Sequence, residues 1–133
     1  MPSKIYHGGP NAQLNVARSK AFNLDNGAGT TIDDCILRLD KRIELVKAQV
    51  VYTDATTGTV AAGNSRVGTT VGGSEIVAST AYENTKAIGT VTAMTLVITE
   101  VAENTAVIVR HTGVAITQAG EAYTEVFYRI LED

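Results

Sequence analysis

Short runs of β-branched residues, separated by clusters of turn-forming residues, follow one another along most of this chain. Valine, isoleucine and threonine together supply 43 of the 133 residues, which is close to a third. Side chains branched at Cβ have stiff χ1 angles, and this stiffness costs less on a pleated sheet than in a helix. The sequence therefore predicts an all-β domain and argues against a bundle of helices.

Charge and cysteine content exclude several classes of function. The formal net charge is −3, so no overall basic field attracts nucleic acid or anionic lipid. There is no run of 18 apolar residues that could cross a bilayer. The single cysteine, Cys35, can form neither an internal disulfide nor a cysteine-based zinc site. We expect no metal, no cofactor, no nucleic acid and no membrane partner.

The first residues carry no apolar stretch of the kind found in a secretory signal. We therefore expect the chain to be made and folded in a reducing cytoplasm. From Lys20 onward, turn signals such as Asn26-Gly27 and Gly72-Gly73 divide the sequence into about eight strands. Strands at this spacing are typical of antiparallel sandwiches. We predict a jelly-roll-like antiparallel β-sandwich over residues 20–133.

The segment from Met1 to Ser19 has no sustained period of two or 3.6 residues, and it contains Gly8, Gly9 and Pro10. We interpret it as an extended arm that is mobile alone and orders against a partner surface. Its apolar and charged side chains are the predicted contacts: Lys4, Ile5, Tyr6, His7, Leu14, Val16 and Arg18.

The run from Thr30 to Leu39 allows two interpretations. Its apolar residues recur at spacings of three and four, as on one face of a helix. The alternative is a strand that places four residues on one face, with an aspartate at its end: Asp33, Cys35, Leu37 and Leu39. The neighbouring elements are all β, which favours the strand. On either interpretation we expect Cys35 to be a small buried core residue that reacts slowly with thiol reagents.

Three further strand patterns stand out. Between Ile43 and Tyr52 the apolar alternation changes phase, which predicts a β-bulge between Leu45 and Val46. The runs 88–98 and 121–131 are apolar on both faces, and such strands are commonly covered on both sides. We predict a symmetric dimer or trimer that buries the second face of these strands. The residues predicted for that contact are Ile88, Met94, Leu96, Ile98, Phe127 and Leu131.

No arrangement of catalytic residues can be assembled from the sequence. His111 has no neighbouring nucleophile motif, and a Gly-x-Ser-x-Gly elbow is absent. Asp33 and Asp34 are adjacent, so on a strand they face opposite sides. Phosphate-binding loops and calcium-binding spacings are also absent. The sequence therefore predicts a protein that is not an enzyme.

The order of the patterns nevertheless resembles a known group of proteins. The stretch from Ile43 to Tyr52 leads into a middle section rich in threonine, alanine and glycine. Ala106–Gly113 and the closing Glu121–Val126 follow it. From Lys20 to the end, this pattern is similar to small capsid decoration (cement) proteins of tailed bacteriophages. The resemblance lies in composition and strand order rather than in a diagnostic motif.

The resemblance implies a structural virion protein on the outer surface of a phage capsid. Proteins of this kind bridge neighbouring major capsid subunits as symmetric oligomers and strengthen the shell. The family offers no catalytic residue to carry over. The alternative is a glycan- or receptor-binding sandwich from a phage fibre or a lectin, which exposed aromatic rings around a pocket would favour.

Overall fold

The computed structural model describes residues 13–131, which form two antiparallel β-sheets that pack face to face. This range contains no helix, so the prediction of an all-β antiparallel sandwich is confirmed. The sequence indicated about eight strands; it did not indicate β1, which lies in the predicted arm, or β8, which has only two residues. The ten strands are β1 Asn15–Arg18, β2 Phe22–Asn23, β3 Thr31–Leu37, β4 Ile43–Thr57, β5 Asn64–Gly68, β6 Val77–Ala81, β7 Val91–Met94, β8 Glu100–Val101, β9 Val107–Thr112 and β10 Ala119–Ile130.

The larger sheet has six strands and is built around the two longest, β4 and β10. Its order is β1-β10-β4-β7, with β2 paired to β10 and β8 paired to β4. The smaller sheet has four strands in the order β3-β9-β5-β6. In β9, Val107, Val109 and His111 are buried, while Ile108, Arg110 and Thr112 alternate with them and are partly exposed. This period of two fixes which side chains reach the outer face.

Part of the predicted arm belongs to the larger sheet. Asn15–Arg18 pairs antiparallel with β10 as an edge strand, and Ala17 is buried against the core. Beyond the strand, the backbone N–H of Ser19 donates to the carbonyl of Thr124 at 2.9 Å. Val16 and Arg18 face outward, whereas Ala17 faces inward. This alternation covers too few residues to be recognised in the sequence. The predicted contacts Lys4, Ile5, Tyr6 and His7 lie outside the described residues.

The change of phase in β4 is a β-bulge, as the sequence predicted. Phe127 pairs with Lys47, whereas the next residue, Tyr128, pairs with Leu45. Val46 is therefore the extra residue of β4 at this position, and it is exposed. The bulge lets Leu45 and Ala48 both face the core although they are three residues apart.

The run from Thr30 to Leu39 is a strand, so its helical interpretation is wrong. Thr31–Leu37 forms β3, which pairs with β9 at the edge of the smaller sheet. The expectation that Cys35 is buried is also wrong, because its side chain is exposed. Cys35 pairs with Ile108 on the outer face, while Ile32 and Ile36 pack against the core. An edge strand with one covered face leaves its alternate residues in solvent.

The core between the sheets is mostly apolar, but polar side chains bridge it. Ser65 of the smaller sheet and Thr124 of the larger sheet lie 2.6 Å apart at their hydroxyl oxygens. His111 is fully buried and stacks on Phe22 of the opposite sheet, with ring centroids 5.2 Å apart. The two sheets are therefore held in register by specific hydrogen bonds as well as by apolar packing.

Candidate interaction surfaces

A row of three side chains crosses the outer face of the larger sheet. Arg18, Glu125 and Gln49 lie opposite one another on β1, β10 and β4. The carboxylate of Glu125 accepts a hydrogen bond from Arg18 Nε at 2.8 Å and another from Gln49 Nε2 at 2.6 Å. Glu125 is buried, and both of its oxygens have a donor. This row is therefore electrostatically complete.

Aromatic rings on the same face are covered by cations. Arg18 lies over the ring of Tyr123 at 5.6 Å, and Lys47 lies over the ring of Phe127 at 4.7 Å. The other four aromatic residues of the described range are buried in the core: Phe22, Tyr52, Tyr82 and Tyr128. Within residues 13–131, both rings on this outer face therefore lie beneath a cation, whereas the glycan-binding alternative would favour exposed rings around a pocket.

A second row of three side chains crosses the outer face of the smaller sheet. Asp33, Arg110 and Arg66 lie opposite one another on β3, β9 and β5. Arg110 binds Asp33 with two parallel hydrogen bonds of 2.8 and 2.9 Å. These bonds hold the pKa of Asp33 below its usual value and raise the pKa of Arg110. Arg66 has no ion pair with any described residue, so the row has one carboxylate for two guanidiniums.

The loop between β5 and β6 borders this second row. Gly72 has a φ of 75° and lies so close to Arg110 that an added Cβ would be 2.6 Å from its Nη1. Glu75 accepts hydrogen bonds from the backbone N–H of Thr69 at 3.0 Å and from its hydroxyl at 3.3 Å. The bond from the Thr69 N–H lowers the pKa of Glu75. The loop therefore packs on Arg110 while its own carboxylate is engaged within the loop.

The residues predicted for self-association do not form one exposed face. Met94 is 8% exposed and Leu131 is 1% exposed, so both belong to the interior of the protomer. Leu96 and Ile98 are partly buried and pack against the core. The predicted strand 88–98 is shorter than expected, because β7 covers only Val91–Met94. After Met94 the chain reaches the smaller sheet, where Leu96 forms a bridge with Val77 of β6.

Two of the predicted self-association residues remain accessible, and they lie apart. Ile88 is 68% exposed in a turn before β7, and Phe127 is partly exposed on β10 beneath Lys47. Ile116, at 77% exposure, lies in the loop between β9 and β10 near the same end of the sandwich as Ile88. Val71 and Val97 are exposed in loops at the opposite end. Of the eight exposed large apolar side chains in the described range, four therefore lie in end loops, and the other four lie on or beside strands of the larger sheet: Leu14, Val16, Val46 and Val91.

His111, the histidine considered for catalysis, lies inside the sandwich. The hydroxyl of Tyr82 is 2.6 Å from His111 Nδ1, and Oδ1 of Asn26 is 3.1 Å from Nε2. Burial lowers the pKa of His111 to about 4, so the ring is neutral near pH 7. In that form Tyr82 donates to Nδ1, and Nε2–H donates to Asn26. The ring has no route to a substrate in solution, and its role is structural.

Residues 13–131 contain no cluster of three or more histidine, cysteine, aspartate or glutamate side chains arranged to hold a metal ion. No helix in this part of the chain is long and apolar enough to span a membrane. Arg66, Arg110 and Glu125 are central to the two rows, but the sequence reasoning did not select them. The period of two could have placed each on an outer face, yet nothing local indicates which residues they meet across the sheet.

Comparison with known proteins identifies a match in fold. No protein-family model matches the sequence, and no curated protein matches it. Among solved structures, a chain of the structure named "Cyanophage Pam1 capsid asymmetric unit" superposes with a TM-score of 0.64 at 13% sequence identity. The superposition covers 99% of the present chain and 94% of that chain. At this identity the match establishes a shared fold over nearly the full length of both chains.

Proposed function

We propose that this protein is a structural component of a bacteriophage virion that binds the outer surface of the capsid and cements neighbouring major capsid subunits. The observation that carries the proposal is the full-length match in fold to a chain of a cyanophage capsid asymmetric unit. That chain is similar in size as well as in topology, because each covers almost all of the other. The resemblance of the sequence to decoration proteins points to the same role independently of the structure.

The arrangement of the sandwich suits a clamp of this kind. Two packed antiparallel sheets with bridging polar contacts form a rigid body, which keeps its surfaces in fixed relation when it binds. Exposed apolar side chains lie at both ends of this body: Ile88 and Ile116 at one end, and Val71 and Val97 at the other. A body with an apolar contact at each end can join two neighbouring subunits of a shell.

The proposal also assigns residues to contact with the capsid and to contact between copies of the chain. Leu14 and Val16 are exposed at the start of the described range, beside the outer face of the larger sheet. We assign the side chains predicted from the sequence to contact with the major capsid protein: Lys4, Ile5, Tyr6, His7, Leu14, Val16 and Arg18. Ile88 and Phe127 are the remaining candidates for contact between copies of the chain in a symmetric dimer or trimer. Production in the cytoplasm of the host bacterium, followed by addition to the shell, belongs to the same proposal.

The test is to purify particles of the virus that encodes the chain on a density gradient and to quantify the chain by mass spectrometry. We expect many copies per particle, in a fixed ratio to the major capsid protein. They should be accessible to antibody on intact particles. Stripping the chain with mild denaturant should lower the temperature at which the shell releases DNA, and adding it back should restore that temperature. Absence from particles, or a few copies confined to the tail, would contradict the proposal.

A further inference from the structure

The row of Asp33, Arg110 and Arg66 leaves one positive charge uncompensated on the outer face of the smaller sheet. Arg66 and Arg110 are directly opposite each other on β5 and β9. Like charges at such a position destabilise a sheet. The bidentate bond to Asp33 neutralises Arg110 but not Arg66. The row therefore carries one cation, Arg66, that no described residue neutralises.

The guanidinium of Arg66 also has unused hydrogen-bonding capacity. Its Nε is buried and has no acceptor, and its Nη2 makes only a long contact of 3.4 Å to Oδ1 of Asn64. A buried donor without a partner costs free energy. The side chain as a whole is only partly buried, so a group from outside can reach the guanidinium, although its Nε becomes accessible only if the side chain shifts. The positive charge of Arg66 and its unused hydrogen-bond donors therefore both favour binding of a negatively charged acceptor.

The carboxylates nearest in the fold are already engaged. Asp33 is bound by Arg110 with both oxygens, and Glu75 is held by Thr69 within its own loop. On the side of β5 away from β9, the neighbouring strand is β6. Its sequence from Val77 to Ala81 contains no charged residue. Within residues 13–131, no further acid is positioned to complete the row.

We propose that Arg66, with Arg110 beside it, binds a carboxylate of a protein partner. A single carboxylate supplies one negative charge and two acceptor oxygens, which is what one free guanidinium accommodates. Nucleic acid is a poorer occupant because the net charge of −3 repels a polyanion. The assignment of the partner as a capsid subunit rests on the proposed function, whereas the carboxylate site itself does not.

The site can be tested on the isolated full-length chain with a blocked peptide that carries a single glutamate, Ac-Ala-Glu-Ala-NH2, as the probe. In NMR spectra of the ¹⁵N-labelled chain, we expect the Arg66 Nε–H signal to shift and saturate as the peptide is added. Inorganic phosphate and the dicarboxylate glutarate, each at matched ionic strength, are the competing probes. The carboxylate assignment is overturned if phosphate displaces the peptide at lower concentration than glutarate does, or if the Arg66 signal does not respond.

Arg66→Gln and Arg38→Gln form a matched pair, because each removes one positive charge and Arg38 is exposed in the loop after β3. We expect Arg66→Gln to weaken peptide binding about tenfold, as loss of a charge-assisted bond implies, and Arg38→Gln to change it less than twofold. Equal weakening by both substitutions would show attraction to overall charge and would overturn the site. Arg66→Gln should not lower the melting temperature, since it removes a cation that no described residue neutralises. A drop of several degrees would make Arg66 a structural residue and would also overturn the site.

The same variants separate this inference from the proposed function when each is added to stripped virus particles. If the wild-type chain does not bind particles, the proposed function fails, and the peptide measurement still decides the carboxylate site. If the wild-type chain and Arg38→Gln both bind and Arg66→Gln binds at least fivefold more weakly, the carboxylate belongs to the shell. If all three bind equally, the assignment of a capsid subunit as the partner is overturned.

Discussion

The two sheets each carry a row of three polar side chains across their outer faces, and the rows differ in completeness. On the larger sheet, Glu125 lies between Arg18 and Gln49 and receives a hydrogen bond from each. On the smaller sheet, Arg110 lies between Asp33 and Arg66, and only Asp33 forms a favourable contact with it. Both central side chains occupy the same position in their sheets, the middle of three paired strands.

The difference separates polar side chains that stabilise the fold from polar side chains that remain available to bind another molecule. The complete row helps to attach the edge strand β1 to β10, because Arg18 belongs to that strand. In the incomplete row, Arg110 binds only Asp33. The buried Nε of Arg66 has no hydrogen-bond acceptor.

The largest expected effect comes from removing β1 from the larger sheet. Deletion of residues 2–19 should lower the free energy of unfolding by roughly 4 kcal/mol, because it removes the ladder to β10, the burial of Ala17 and the partner of Glu125. Urea unfolding followed by circular dichroism measures the loss. Deletion of residues 2–12 is the control and should change stability by less than about 0.5 kcal/mol. Equal stability of both deletions would show that β1 does not hold the sheet.

The second prediction concerns His111 in the smaller sheet, whose pKa is lowered from 6.5 to about 4 by burial. Between these values the unfolded chain binds a proton that the folded chain does not, so stability should fall as the pH decreases from about 6.5 to 4. The full loss is about 3 kcal/mol. Urea midpoints measured across this range test the prediction, with His111→Gln expected to remove that part of the slope and His7→Gln to keep it.

An NMR titration of the ring provides an independent measurement for His111. Its signals should titrate near pH 4 in the folded chain, whereas His7 lies outside the described residues and serves as the internal comparison. A midpoint near 6.5 for His111 would mean that the ring is hydrated and that its contacts with Tyr82 and Asn26 do not exclude the charged form.

A smaller effect is expected from opening the complete row. Arg18→Gln should lower the melting temperature, because the buried carboxylate of Glu125 would keep only Gln49 as a donor. Arg38→Gln removes the same charge from an exposed loop, and we expect it to change stability by less than about 0.5 kcal/mol. Thermal unfolding of both variants side by side checks the difference. Indistinguishable melting curves would mean that the complete row contributes no more than a surface charge does.

The smallest effect on stability is expected at Cys35 on the outer face of the smaller sheet. Because the thiol is exposed, a thiol reagent should modify it fully in the native state, without any need for unfolding. Cys35→Ser should change stability by less than about 0.5 kcal/mol. Modification that required denaturant would show that this face is covered, and it would then be a poor candidate for binding a partner.

The sequence predicted the secondary structure correctly wherever the pattern depended only on residues close together in the chain. The strand interpretation of Thr30–Leu39 and the bulge at Val46 both follow from alternation within a few residues. The burial of Cys35 was wrong because alternation shows that two faces differ but not which of them the second sheet covers. Met94 and Leu131 were assigned to an outer contact for the same reason, and the fold buries them in the protomer.

The candidate sites depended even more on the tertiary structure. Asp33 and Arg110 are separated by 77 positions in the chain, and Arg18 and Glu125 by 107. Their pairing depends on the register between distant strands, which is fixed by burial across the whole sandwich.

The sequence by itself determined that the chain is an all-β protein, which residues alternate along each strand, and where β4 shifts phase. These are properties of short segments, because Cβ branching and a period of two act over a few residues. Only the tertiary structure decided that Glu125 has two donors while Arg66 has no acceptor for its Nε. Such contacts join segments that are far apart in the chain, and they form only when the packing of both sheets brings those segments together.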